Sequence, residues 1–162
     1  MPQTADVSTE TLRARIAKAQ QAMKEFGLRA VLLEPGPAMM YLTGVRWGRS
    51  ERTFLVVLTE TGDPAYVLPG FEEMRARELI KAGQDIRVWQ EDESPYRRVA
   101  QIFKDRGVAL GRVGMDENVR FFVFDGVRNA APRLQYVSAQ AALKAAGVDP
   151  SPPAPRGAVR EQ

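Results

Sequence analysis

Arg46-Trp47-Gly48-Arg49-Ser50-Glu51-Arg52 packs three guanidinium groups and an indole into one short stretch. A guanidinium grips a carboxylate through two planar donors at once, and a tryptophan face can wall a pocket for an apolar or cyclic side chain. The same residues also describe a solvated loop whose tryptophan tucks against a sheet edge, and residue types alone leave both readings open. Tracking single-stranded nucleic acid would need a second aromatic platform, and none accompanies Trp47. Catalysis is harder to place. The 162 residues include no histidine and no cysteine, which removes the usual general base near neutral pH, the thiolate nucleophile and the soft metal ligands. Carboxylates, arginines, lysines, tyrosines and hydroxyls remain. They bind, clamp and orient, but seldom run a hydrolysis alone, so the inventory describes a partner half and not a complete enzyme.

The other polar groupings read as local structure. Glu91-Asp92-Glu93 could offer oxygen ligands to a hard cation, yet it stands just before Ser94-Pro95, where carboxylates favour the positive end of the following helix. Asp116 and Glu117 fall where a strand hands over to a helix; a cap is the expected role, although α/β sites often form at such an edge. Gly107, Gly111 and Gly114 lack the dinucleotide spacing, and no Lys-Ser or Lys-Thr pair follows to cradle phosphate. No metal or cofactor site is expected.

Composition bounds the setting. Hydrophobic residues make up 44% and charged residues 27%, as in an ordinary globular domain, and the length suits one domain with its own core. The formal charge of +3 comes from arginines interleaved with Glu and Asp and not gathered into a run, which argues against nucleic acid as a partner. The N-terminal residues have neither a basic nor an apolar signal region, and the strongest apolar run, Phe54-Leu55-Val56-Val57-Leu58, is too short to span a bilayer. A cytoplasmic location without membrane attachment is expected.

The elements that must position these residues follow from periodicity. Leu12, Ile16, Ala19, Met23 and Phe26 recur at helical spacing from Thr9 to Phe26, with Ser8 or Thr9 to cap the start and Gly27 to end it. Strands are expected at 30–33, 53–58 and 64–68, the last two joined by the turn-rich link Thr59-Glu60-Thr61-Gly62-Asp63 in an antiparallel hairpin. Helices at 71–81, 96–106, 119–130 and 139–146 then alternate with strands at 85–89, 112–116 and 134–137. This pattern predicts an α/β fold with a mixed sheet of about six strands flanked by helices. The domain is expected over 9–147, and 148–162 as a proline-rich disordered tail.

Arg15 through Met23, Gly27 through Leu33 and then Met40-Tyr41-Leu42-Thr43-Gly44 resemble the N-terminal domain of the creatinase, prolidase and aminopeptidase P superfamily. The likeness continues through the hairpin, Val67-Leu68-Pro69, Val113-Gly114-Met115-Asp116 and the end of the last strand. It implies a mixed sheet standing in front of a larger catalytic domain, which holds either a two-metal carboxylate and histidine site that cleaves before proline or a metal-free site with a catalytic histidine. None of those residues can be carried over to this chain. What the resemblance implies here is a non-catalytic domain that builds dimer contacts and lines a neighbouring subunit's substrate pocket through the loop after the aromatic-Leu-Thr-Gly turn, with Arg46 and Trp47 foremost and Arg49 and Arg52 behind them. Tyr41 is expected to anchor that turn as a core residue, not to act as an acid. Self-association or a catalytic domain would be the partner. The competing reading is an independent binding or regulatory module for an anionic small molecule or a protein.

Overall fold

The apolar stripe near the start of the chain becomes the buried face of α1 (Thr9–Glu25), where Leu12, Ile16, Ala19, Ala22 and Met23 are buried. Ser8 starts the helix by accepting the Thr11 amide at 3.1 Å, which satisfies one of the amides that every helix start leaves without an intrahelical partner. The computed structural model describes residues 7–149. In it α1 leads into a single sheet of β1 (Leu28–Leu33), β2 (Leu55–Thr59), β3 (Ala65–Pro69), β4 (Asp85–Trp89), β5 (Arg112–Met115) and β6 (Gln135–Ser138). Their order is β4-β3-β2-β1-β5-β6. β2 pairs antiparallel with β1 and β3, while β3 with β4, β1 with β5 and β5 with β6 pair in parallel. Every strand except β2 therefore ends along one edge of the sheet, here the upper edge, and the loop carrying the arginines enters β2 from that edge.

Helices cover both faces. Val31, Leu33, Val56, Leu58, Tyr66 and Leu68 pack against α1, α2 (Pro37–Thr43), α3 (Glu73–Leu79) and α6 (Gln140–Ala145). Ala30, Leu32, Leu55, Val57, Val67 and Val113 face α4 (Pro95–Asp105) and α5 (Phe121–Ala130). Burial on both sides explains why β2 and β3 read as continuous apolar runs without alternation. α4 and α5 approach so closely that a methyl group at Gly126 would overlap the Tyr96 ring. The Tyr96 hydroxyl lies 3.3 Å from that of Thr53, which limits how far the ring can give way.

Four expectations need adjustment. Residues 37–43 form α2, a short helix where the sequence pattern predicts only a turn; Pro37 occupies its first turn, where a missing amide costs nothing. The expected helix at 71–81 begins with a 3-10 turn over Gly70–Glu72 and is regular only over α3. The expected helix at 119–130 starts at Phe121, because Asp116 folds the preceding residues into a turn, its carboxylate accepting the Asn118 amide and its carbonyl the Val119 amide. Val148, assigned to the tail, is buried and donates its amide to the Leu143 carbonyl at 2.9 Å, so packed structure runs past residue 147. The expectation for 150–162 lies outside the described residues.

Candidate functional site

The upper edge gathers the sequence's polar candidates, and the Tyr41-Leu42-Thr43-Gly44 segment sets their position. Leu42 is buried in the core. The Thr43 hydroxyl donates to the Met39 carbonyl at 2.6 Å and accepts the Val45 amide at 3.2 Å, closing the end of α2. Gly44 then turns the chain with φ of 76°, a left-handed conformation that a side chain would strain. Tyr41 is half-buried against the core, and the Arg15 guanidinium sits 4.0 Å above its ring, an anchoring environment.

Beyond Gly44 the four loop residues divide by what they touch. Arg46 is exposed and makes no hydrogen bond or ion pair among the described residues. Trp47 packs on Phe54 with ring centroids 4.6 Å apart and carries the Arg75 guanidinium 4.2 Å over its face. Arg49, although exposed, donates to the Pro35 and Asn118 carbonyls, tying the end of β1 to the turn after β5. Arg52 pairs with Glu91 at 3.2 Å and lies over the Phe71 ring at 5.2 Å. Around this loop Phe71 and Met74 are 66% and 80% exposed.

The acidic run 91–93 is engaged in local structure. Glu91 meets Arg52, and Glu93 accepts the Gln90 amide and the Arg98 guanidinium. Among the described residues no group of three or more His, Cys, Asp or Glu could hold a metal ion.

Two buried carboxylates stand at this edge: Glu34, which the sequence does not single out, and Asp116, which it does. Glu34 follows β1 directly, and its side chain is fully buried against Arg120, itself 29% exposed. Its carboxylate accepts the Arg120 backbone amide at 2.8 Å and the guanidinium Nη2 at 2.6 Å, while Nη2 also donates to the Ser50 carbonyl. The one sequence signal was a carboxylate continuing an apolar strand. Asp116 also is 3% exposed. Burial pushes its carboxyl above the ordinary carboxylate range, against the opposing influence of the Asn118 amide and Arg49. Glu34 and Asp116 follow β1 and β5, between which the chain's strand order reverses, the place where open α/β sheets form their crevice.

Comparison with known proteins fits this arrangement. A family model described as the creatinase/prolidase N-terminal domain matches residues 15–146. An uncharacterized peptidase of Schizosaccharomyces pombe is 30% identical over 138 residues, covering 76% of this chain and 30% of that relative. Dipeptidase PepE from Mycobacterium ulcerans superposes with a TM-score of 0.75 at 26% identity, over 86% of this chain and 37% of its own. The creatinase/prolidase N-terminal domain of an X-Pro dipeptidase from Streptococcus pyogenes gives a TM-score of 0.68 over 81% of this chain and 97% of its own; at 14% identity it shows the shared fold alone. This chain thus spans 30–37% of the length of those peptidases. With the six-stranded mixed sheet, the capped Leu-Thr-Gly corner and a family match over most of its length, the chain belongs to the creatinase/prolidase N-terminal domain family.

Proposed function

We propose that this chain serves as the non-catalytic N-terminal domain of a creatinase or Xaa-Pro peptidase-like enzyme, contributing to oligomer assembly and lining the substrate pocket of a neighbouring subunit. The observation that carries the reading is Arg46: an exposed guanidinium without a partner among the described residues, on the same edge as exposed Phe71 and Met74 and half-buried Trp47. Unpaired donors beside uncovered apolar side chains are what an interface draws on. A dipeptide substrate presents a free carboxylate, the group a guanidinium grips best.

Within the loop the roles differ. Arg46 reaches outward and Trp47 offers a wall, whereas Arg49 and Arg52 hold the loop in place through carbonyls, Glu91 and Phe71. With no histidine in the sequence, a histidine-bearing catalytic site has to come from the part of such an enzyme that these residues do not match. The test incubates the purified chain with Xaa-Pro dipeptides and Mn²⁺, Co²⁺ or Zn²⁺. No turnover is expected, and hydrolysis abolished by a chelator overturns the reading. In an enzyme assembled with a catalytic part, Arg46→Ala is expected to raise KM for dipeptides while leaving the thermal midpoint of this domain in place; an unchanged KM removes the pocket-lining role.

A further inference from the structure

An opening lies further along the upper edge, between the ends of β5 and β6 and the start of α5. It is a cleft of about 340 Å³, within the range of small-ligand sites. Met115, Val119 and Val137 contribute apolar lining. Phe121, Phe124 and Tyr136 form a row along it, with edge-on centroid separations of 6.0 Å and 5.9 Å. Phe121 is 68% exposed, although it opens a helix whose Val123 and Val127 are buried. Asp116, Glu117 and Ser138 supply the polar lining.

We infer that this cleft binds a small ligand carrying an ammonium group on an apolar body, the ammonium meeting Asp116 and Glu117 and the body lying along Phe121, Phe124 and Tyr136. Asp116 carries the argument furthest. One of its carboxylate oxygens, Oδ1, accepts the Asn118 amide at 3.2 Å, whereas Oδ2 has no hydrogen bond among the described residues. The residue is only 3% exposed, yet it is among those that line the cleft. A nearly buried carboxylate with one oxygen free of hydrogen bonds, in the lining of an aromatic cavity, is a poor cap and a good ammonium acceptor.

The surrounding charges favour a cation as well. Glu34 is matched by Arg120, and around Asp116 the positive charge of Arg49 is opposed by the negative charges of Glu117 and Glu34. Glu117 accepts the Ser138 hydroxyl at 2.6 Å and so is held at the cleft. Aromatic faces attract cations, and Phe124 already draws one from outside the lining: the Arg128 guanidinium lies 5.1 Å over its ring. This site is separate from the Arg46 loop, and either reading can fail without the other.

The test titrates the full chain with 2-phenylethylammonium at pH 7, following backbone amide chemical shifts, with phenylacetate as the matched anion. Saturable shifts confined to residues 115–124 and 136–138 are expected, with phenylacetate weaker by roughly tenfold or more. Asp116→Asn is expected to weaken the amine by a similar factor while the remaining spectrum stays that of the folded chain. Should that variant fail to fold, Glu117→Gln at the exposed mouth is expected to weaken the amine in the same direction. The inference is overturned by absence of saturable shifts at millimolar amine, by shifts scattered over the surface, by equal binding of phenylacetate, or by carboxylate variants that bind the amine as the parent does.

Discussion

Removing Arg120 is expected to cost the fold more than neutralising Glu34, because the two ends of their ion pair face different environments. The Glu34 side chain is fully buried, while Arg120 keeps 29% of its side chain exposed. In Arg120→Ala the carboxylate stays in the core without its guanidinium, the situation that makes breaking a buried pair cost about 3–5 kcal/mol. Truncation also frees the Ser50 carbonyl. In Glu34→Gln the amide oxygen still accepts the Arg120 backbone amide, and the guanidinium can turn its exposed side to water, so a loss of about 1–2 kcal/mol is expected. The lower bound for Arg120→Ala is taken because its exposed part is already screened. At this chain length about 3 kcal/mol corresponds to a fall in Tm of roughly 6–12 °C. Urea unfolding of parent, both single variants and the double variant measures the losses and the coupling between them. The reasoning is refuted if Glu34→Gln costs as much as Arg120→Ala, or if both lie below about 1 kcal/mol.

Further predictions concern other parts of the fold. Gly126→Ala tests packing against helix propensity: propensity alone favours alanine by about 1 kcal/mol, but overlap with Tyr96 should reverse the sign and destabilise by about 1–3 kcal/mol, read by urea midpoint. Asp116→Asn should stabilise at pH 7 and change little below about pH 4, since a carboxyl whose folded pKa is raised loses stability as pH climbs from its unfolded value near 3.9 through its folded one; thermal midpoints across that range check it. Asp85 behaves in the opposite sense. Its carboxyl is held below the ordinary range chiefly by the Arg87 guanidinium, with Arg106 adding to it, so its contribution is present above its unfolded pKa and fades as pH falls through the lower folded value. Asp85→Asn should therefore narrow the gap between neutral and acid stability, and the same midpoints taken down to pH 2 would reveal it.

The sheet was legible in the sequence because its strands are short, apolar and bounded by turn residues, and because Gly62 and its neighbours mark the β2–β3 link. Burial on both faces made those runs unambiguous. α2 was not legible as a helix: seven residues that begin on the second proline of Pro35-Gly36-Pro37 offer no polar face and too few turns for a period to show. The loop's arginines could be listed from sequence, but not sorted. Arg46 and Arg49 are equivalent as letters, and what separates them is two carbonyls, one of them from a residue 69 positions away. Glu34 is silent in the sequence for the same reason. Its partner is 86 residues further on, and no local pattern announces such a pair. The aromatic row likewise joins α5 to β6, elements that sequence reading placed separately.

The lone reversed strand also sets an order of assembly. β1, β2 and β3 can zip together through nearby antiparallel pairings, whereas β5 must find β1 from far along the chain, and closing so long a loop has an entropic cost before contacts repay it. The seam between β1 and β5 is thus expected to be the slow join in the sheet. Glu34 with Arg120 and Arg49 with the Asn118 carbonyl are fastened across that seam. Arginine contacts that look, in the finished fold, like furniture of a site are also the latch that keeps its two halves from parting.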